Sequence, residues 1–282
     1  MTMISAVLRC PGCQVELATD VANNLVCPGC AYRINEIDGI HVPQDAAFNA
    51  SREMQVRDLQ ARAYLLHAKF PTQIASFVKW LGSNSAMAGL ALDLGCGPGP
   101  YTRSLQEAGY QVMAVDFSLA SLQINAVTCR SARNPQSSTF VQADLNTLML
   151  KPESVDIVVM ADFLQHLGGR AQRERLLHEV FTALKPGGRF YLSFFNMNIK
   201  NFLKGDIHGE FAGGDIRYER LTVANVLSAI PNFIQVEQVQ PLNIFHSAWL
   251  DSLATKLPGA FYLARMSVVT GRKPDPKTMR IG

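Results

Sequence analysis

Three groups of residues have types and spacings that could do chemistry. Cys10-Pro-Gly-Cys13 and Cys27-Pro-Gly-Cys30, thirteen residues apart, can bring four thiolates around one point. That donor set suits a tetrahedral zinc ion, and with all four positions taken by protein it leaves no open position for catalysis. Pro-Gly in each knuckle turns the chain sharply enough for both sulfurs to reach one ion. Disulfides and a redox pair are the rival readings; a reducing compartment opposes the first and the duplicated knuckle the second. In the second group, Gly95, Gly97 and Gly99 alternate within Ala91-Leu-Asp-Leu-Gly-Cys-Gly-Pro-Gly-Pro100, between an apolar run from Leu90 and an amphipathic segment from Tyr101. This pattern reads as strand, tight turn and helix. Glycines there let a ligand approach the main chain, and free amides at a helix start favour a carboxylate or phosphate. Gln111 to Val115 reads as the next strand and ends on Asp116, 23 residues after Asp93, where a carboxylate suits the paired hydroxyls of a ribose. The third group is the set of polar side chains downstream, His166, Asn196, Arg217 and His246, which can act as clamps or bases.

The Gly-x-Gly-x-Gly spacing preceded by Asp93 departs from the dinucleotide fingerprint and resembles the first motif of the class I S-adenosylmethionine (SAM) methyltransferases. Thr139-Phe-Val-Gln-Ala-Asp144, Val155-Asp-Ile-Val-Val-Met-Ala161 and Leu184-Lys-Pro-Gly-Gly-Arg-Phe190 are similar to later segments of that family in order and spacing, so the resemblance covers about residues 90–195. It implies a SAM site built from Asp93, Gly95, Gly97, Gly99 and Asp116, with Asp144 on the adenine amino group. Phe117 lies either against the adenine or in the core. Asp162 falls near the expected point of methyl transfer, and His166 is either a base or a capping residue. Cys96 and Cys129 have no base in their motifs and read as small buried side chains.

The elements that must position these groups form an α/β fold: a doubly wound, seven-stranded, mostly parallel sheet of the Rossmann-like methyltransferase kind, with a small N-terminal zinc ribbon. The ribbon occupies residues 1–45 and the methyltransferase domain residues 46–282. Helical periodicity spans Glu53–Ala68 and Thr72–Leu81, Asp45-Ala-Ala-Phe-Asn-Ala connects them to the ribbon, and Arg170, Arg173 and Arg175 read as a solvated face. The sixth strand is expected within Ile230–Val239 and the seventh within Ala264–Thr270, giving one reversed strand at the edge.

The acceptor is approached by further resemblances. Ala31-Tyr-Arg-Ile-Asn-Glu-Ile-Asp-Gly-Ile-His-Val-Pro43 is similar to the small zinc-ribbon partners that activate several tRNA, rRNA and protein methyltransferases, and a ribbon fused to this fold is similar to bacterial rRNA guanine methyltransferases. Phe190 to Gly205, Gly209-Glu-Phe211 and Asn243-Ile-Phe-His-Ser-Ala-Trp249 resemble the tRNA wobble-uridine methyltransferases that esterify 5-carboxymethoxyuridine. Asn243 stands where that family has arginine, and that family lacks a ribbon. The resemblances imply methylation of an RNA base or its carboxylate substituent, with Asn196, Lys200, Arg217, Tyr218 and His246 as clamps. A small-molecule acceptor, such as a quinone, lipid or natural product, is the alternative, since the insertion is rich in apolar and aromatic residues; there His166 or His246 is the candidate base. A non-catalytic SAM-binding module is the third reading.

Length and composition agree with any of these. At 282 residues, with 48% hydrophobic residues and a net charge of +3, the chain can bury a sizeable core and permits an anionic partner without requiring one. No apolar run reaches the ~18 residues of a membrane span, and a cytoplasmic protein is expected.

Overall fold

The first 44 residues supply a short helix, α1 (Met3–Val7), and four short strands, β1 (Ala18–Thr19), β2 (Leu25–Val26), β3 (Arg33–Ile37) and β4 (Ile40–Pro43), paired antiparallel in sequence order. Asp38 and Gly39 both take positive φ, 53° and 79°, which is the twist a two-residue hairpin loop needs to join β3 to β4. The structure is a computed structural model and describes residues 3–22, 24–44, 52–67, 71–82, 89–130, 138–211, 216–245 and 248–277. The connector at residues 45–50 lies outside them.

Two helices follow, α2 (Arg52–His67) and α3 (Pro71–Gly82), within a residue of the spans their periodicity implies. Strands and helices then alternate: β5 (Leu90–Leu94), α4 (Pro100–Glu107), β6 (Gln111–Asp116), α5 (Leu119–Arg130), β7 (Ser138–Gln142), β8 (Val155–Ala161), a 3-10 turn at Leu164–His166, α6 (Arg170–Ala183) and β9 (Leu184–Phe195). These strands are apolar on both faces because helices cover both sides of a parallel sheet; Leu92, Val115, Val158 and Leu192 are fully buried. After β9 come α7 (Ile199–Leu203), a separate hairpin of β10 (His208–Phe211) and β11 (Ile216–Glu219), α8 (Val223–Leu227), β12 (Gln235–Leu242), α9 (Ala248–Ala254), α10 (Ala260–Leu263) and β13 (Met266–Arg272).

The strand order β7-β6-β5-β8-β9-β13-β12 is that of a doubly wound sheet, with the first five strands parallel. The reversed strand is β13, and it stands one place in from the edge rather than at it. It slots between β9 and β12 and pairs antiparallel with both, Val268 lying opposite Ser193 on one side and Gln240 on the other. β12 begins at Gln235, later than the sequence pattern implies, because Pro231 opens a turn that the Ile234 amide closes on the Pro231 carbonyl at 3.0 Å.

Among the described residues, the four N-terminal strands extend these seven into one eleven-stranded sheet. β4 pairs parallel with β7 through Ile40 opposite Phe140 and His41 opposite Val141. Ile4, Val7, Leu25 and Ile34 belong to the same hydrophobic cluster as Leu92, Met113 and Leu148. The chain after α1 is stitched to the segment beyond β7: the Arg9 amide donates to the Met149 carbonyl (3.0 Å), and the Lys151 amide to the Val7 carbonyl (2.6 Å). Residues 3–44 therefore share their core with the sheet.

Arg173 departs from the expected solvated face. Arg170 and Arg175 are exposed, but Arg173 is buried and its Nη1 donates to Glu219 Oε2 at 2.8 Å, tying α6 to the β10–β11 hairpin. A buried guanidinium needs such a partner.

Candidate functional site

The turn after β5 is built from three glycines with positive φ, 65° at Gly95, 51° at Gly97 and 93° at Gly99. A Cβ at Gly95 would stand 2.8 Å from the Phe163 ring, and one at Gly99 1.9 Å from the Asn125 amide. Packing therefore requires glycine at both. At Gly97 a Cβ would meet open space, and this residue faces the cavity. Pro100 then starts α4 with its φ already helical.

Asp116, at the tip of β6, holds the turn in place. Its Oδ2 accepts the Gly97 amide and its Oδ1 the Ser118 amide, each at 2.8 Å. Burial raises its pKa, and the amides of Ser118 and Gly97 oppose that rise by favouring the charged form. Asp93 behaves differently. It is buried beneath the turn, off the cavity wall, with Oδ2 accepting from Thr102 Oγ1 at 2.6 Å, while Thr102 accepts from Asn125 Nδ2 at 2.9 Å. Burial pushes its pKa up to about 7, against the Thr102 bond and with help from the Asp116 charge. Asp93 thus braces the turn against α4 and α5.

A cavity of about 640 Å³ lies over the carboxyl ends of β5, β6, β7 and β8. One end is lined by Gly95, Cys96, Gly97, Asp116, Phe117 and Asp144. Asp144 Oδ1 accepts the Asn146 amide at 2.8 Å, so a local turn holds that carboxylate at the wall. Arg57 and Gln60 from α2 and Gln73 from α3 complete the enclosure. The sequence patterns did not mark these three. α2 is fixed over the turn by Asp58, whose Oδ1 accepts from Ser118 Oγ (2.6 Å) and from the Ala120 amide (3.0 Å), capping α5 from another element.

The other end is lined by Asp162, Phe163, His166, Leu167, Phe195 and Ile216. Asp162 follows β8 with φ of 60°, and its carboxylate accepts from Ser193 Oγ. Burial raises its pKa to about 6, although the Ser193 bond acts the other way. The His166 Nδ1 lies 2.9 Å from the Arg217 carbonyl. A carbonyl can only accept, so Nδ1 carries the proton and the neutral ring offers Nε2 as its acceptor. The ring meets Phe195 and Tyr218 edge-on, with centroids 6.4 and 6.3 Å away.

Of the polar set singled out from sequence, His166 lines the cavity, and Arg217 reaches it only through the carbonyl that orients His166. The Arg217 side chain is 84% exposed and stands 3.7 Å from Glu210. Asn196 is buried away from the cavity; its amide donates to the carbonyls of Phe261 (2.8 Å) and Ala264 (3.1 Å), clamping β9 to α10. His246 lies outside the described residues. Phe195, one residue before Asn196, is the wall residue of that strand end.

The titration of Asp162 carries a test. A carboxyl with pKa near 3.8 unfolded and about 6 folded holds its proton more tightly in the native state, so stability is full below the unfolded value and falls as pH rises through about 6. The difference is on the order of 3 kcal/mol. Asp162→Asn is expected to be more stable than the parent to urea at pH 8 and equal to it at pH 4. An equal change at both pH values would show that the charge of Asp162 is not the cause.

The second site is the cysteine cluster. The sulfurs of Cys10, Cys13, Cys27 and Cys30 all lie within 4.8 Å of one another, with Cys10 and Cys30 3.6 Å apart. Sulfurs bound to one zinc at ~2.3 Å stand about 3.8 Å apart, so the spacing fits. The amides of Cys13, Gly29 and Tyr32 point at the sulfurs of Cys10, Cys27 and Cys30 at 3.4, 3.3 and 3.4 Å, which stabilises thiolates. These four residues could hold a zinc ion.

The strand order, the glycine turn pinned by Asp116 and the cavity over the strand ends define a Rossmann-like methyltransferase fold. Residues 92–192 match the family described as Methyltransferase domain. The chain is 32% identical over 147 residues to a carboxy-S-adenosyl-L-methionine synthase of Aliivibrio salmonicida, an alignment that covers 50% of this chain and 59% of that protein. It is 29% identical over 124 residues to a ubiquinone biosynthesis O-methyltransferase of Idiomarina loihiensis, covering 44% of this chain and 49% of that protein. The match thus spans between about half and three fifths of the length of these relatives. The fold is similar to that of a Burkholderia thailandensis 1,6-didemethyltoxoflavin-N1-methyltransferase with bound 1,6-didemethyltoxoflavin and S-adenosylhomocysteine, with a TM-score of 0.57 at 18% identity, covering 86% of this chain and 96% of that one. Among the described residues no helix is long and apolar enough to cross a membrane.

Proposed function

We propose that the protein is a SAM-dependent methyltransferase that methylates a hydroxyl group of a small, largely apolar acceptor, with a zinc ribbon at residues 1–45 braced against a methyltransferase domain at residues 46–282. The observation that carries this reading is a single cavity whose ends differ in chemistry. One end offers Gly97, Asp116, Phe117 and Asp144, and the other offers Phe163, Phe195 and Ile216 around His166. The name of the Idiomarina relative, a ubiquinone biosynthesis O-methyltransferase, supports an acceptor of the same kind.

The residues present fit the cofactor. Gly97 leaves room for close approach, Asp116 keeps carboxylate lone pairs for a ribose diol, Phe117 offers a ring face, and Asp144 can accept from an amino group. Gly97, Asp116, Phe117 and Asp144 would hold SAM, which would supply a sulfonium methyl group to the acceptor oxygen with the neutral thioether as the leaving group. His166 Nε2 takes the hydroxyl proton as the oxygen attacks. Asp162, ionised above about pH 6, adds a negative charge to the same end of the cavity. The side chains of α2 and α3 exclude water and align the reactants.

An RNA acceptor, the other reading of the sequence, receives less support. Among the described residues that line the cavity, Arg57 is the sole Lys or Arg, and the Arg217 side chain is turned to solvent. Transfer to a neutral small acceptor is expected to change little between low and high salt. RNA methylation would fall steeply as phosphate contacts are screened.

Cofactor binding gives the direct test. Asp116→Ala is expected to weaken SAM binding, followed by calorimetry, by roughly 1–3 kcal/mol, the cost of hydrogen bonds that involve a charged group. Unchanged affinity in the variant would remove Asp116 from the cofactor site and with it the orientation proposed for the cavity.

A further inference from the structure

We propose that the face formed by α7, α9 and α10 docks on an anionic phospholipid bilayer. Six large apolar side chains stand out there, Phe202 and Leu203 on α7, Trp249 on α9, Leu257 in the turn after it, and Tyr262 and Leu263 on α10, each between 59 and 76% exposed. Isolated exposed apolar residues are ordinary on a protein surface, but a cluster of this size is not.

Three observations make them one face. α7 packs against α10, and the Asn196 side chain, just before α7, is bonded to the Phe261 and Ala264 carbonyls at the two ends of α10's last turn. The turn joining α9 to α10 is closed by the Lys256, Leu257 and Ala260 amides on the carbonyls of Leu253, Ala254 and Leu257. On α9, Trp249 and Leu253 stand one turn apart, on the side opposite the buried Asp251.

Charge selects the occupant. Segments 197–205 and 252–265 contain Lys200, Lys204, Lys256 and Arg265 and no Asp or Glu. All four are exposed, and none of the three lysines forms an ion pair among the described residues. An apolar face that mixes Trp, Tyr, Phe and Leu with unpaired lysines matches the boundary between headgroups and acyl chains of a negatively charged leaflet. The face lies beside Phe195, which pairs with Met266 where β9 ends and β13 begins and lines the cavity, so a docked protein would hold its cavity close to the bilayer. Docking does not depend on the acceptor being a lipid.

The test uses the full chain with vesicles of phosphatidylcholine alone or with about a third phosphatidylglycerol. The protein is expected to sediment with the anionic vesicles and to stay in solution with neutral ones. The chain has two tryptophans, and Trp80 is buried whereas Trp249 is 70% exposed, so a blue shift of emission on adding anionic vesicles reports Trp249 entering the bilayer. Lys200→Glu with Lys204→Glu is expected to weaken vesicle binding at least about tenfold, and Phe202→Ser with Leu203→Ser to abolish the blue shift. These side chains are exposed, so thermal melting and S-adenosylhomocysteine binding should be unchanged. No sedimentation and no blue shift with anionic vesicles would overturn the proposal. So would a dimer in sedimentation velocity that Phe202→Ser dissociates, since the face would then join two copies of this chain.

Discussion

Replacing His166 by asparagine is expected to lower methyl transfer by roughly 10²–10⁴-fold, the usual contribution of a positioned general base. Asparagine can still donate to the Arg217 carbonyl that now holds Nδ1 at 2.9 Å, so the wall should keep its shape while losing the basic nitrogen. SAM affinity should stay within about twofold, because the groups proposed to hold the cofactor, Gly97, Asp116 and Asp144, come from the opposite end of the cavity. An acceptor with a more acidic hydroxyl, already ionised at the assay pH, should recover much of the loss. If the variant transfers at the parent rate, or if it loses cofactor binding in proportion, His166 is not the base.

Stripping the metal is expected to have the larger structural effect. Metal analysis of the purified chain should give about one zinc per molecule, and its removal by a chelator, or Cys27→Ser, should unfold the ribbon. Structural zinc contributes on the order of 10–16 kcal/mol in isolated zinc-finger peptides, far more than four short strands could supply without it. The effect should not stop at the ribbon. Ile40 and His41 pair with β7, and Val7 and Arg9 bond to the main chain at residues 149–151, on either side of Asp144. Metal-free protein should therefore bind SAM more weakly by roughly 5–150-fold, the usual range of coupling between linked sites. Metal-free protein with an unchanged circular dichroism spectrum and unchanged affinity would show that the cysteines do not hold a structural ion.

How much of this was legible beforehand depends on whether the signal was local. The glycine turn, Asp116 and the paired knuckles are spacings of a few residues, and each governs a shape made by those same residues. The alternation of strands and helices is legible because apolar runs and glycine breaks alternate regularly. That the Asn196 and Arg217 side chains lie off the cavity wall is not legible in the sequence, because polarity does not tell which way a side chain faces. The partners of Asn196 are carbonyls 65 and 68 positions away, and Arg217 serves the site with its backbone. Arg173 read as solvated because nothing near it in sequence announces Glu219. Asp58 gave no signal at all, since its role is to cap a helix 60 residues downstream.

The two residue pairs that join β4 to β7 have a further consequence. In a doubly wound sheet ending at β7, that strand would run along the border with its amides and carbonyls bare and with Phe140 and Val141 buried beside them, a ready template for a strand from another molecule. The ribbon moves the border outward to β1, which is two exposed residues long, too short to recruit anything. On the opposite border β12 carries Glu237 and Pro241, residue types that discourage pairing. The N-terminal strands are thus a stopper as well, and a chain lacking residues 1–45 should lose solubility before it loses its fold.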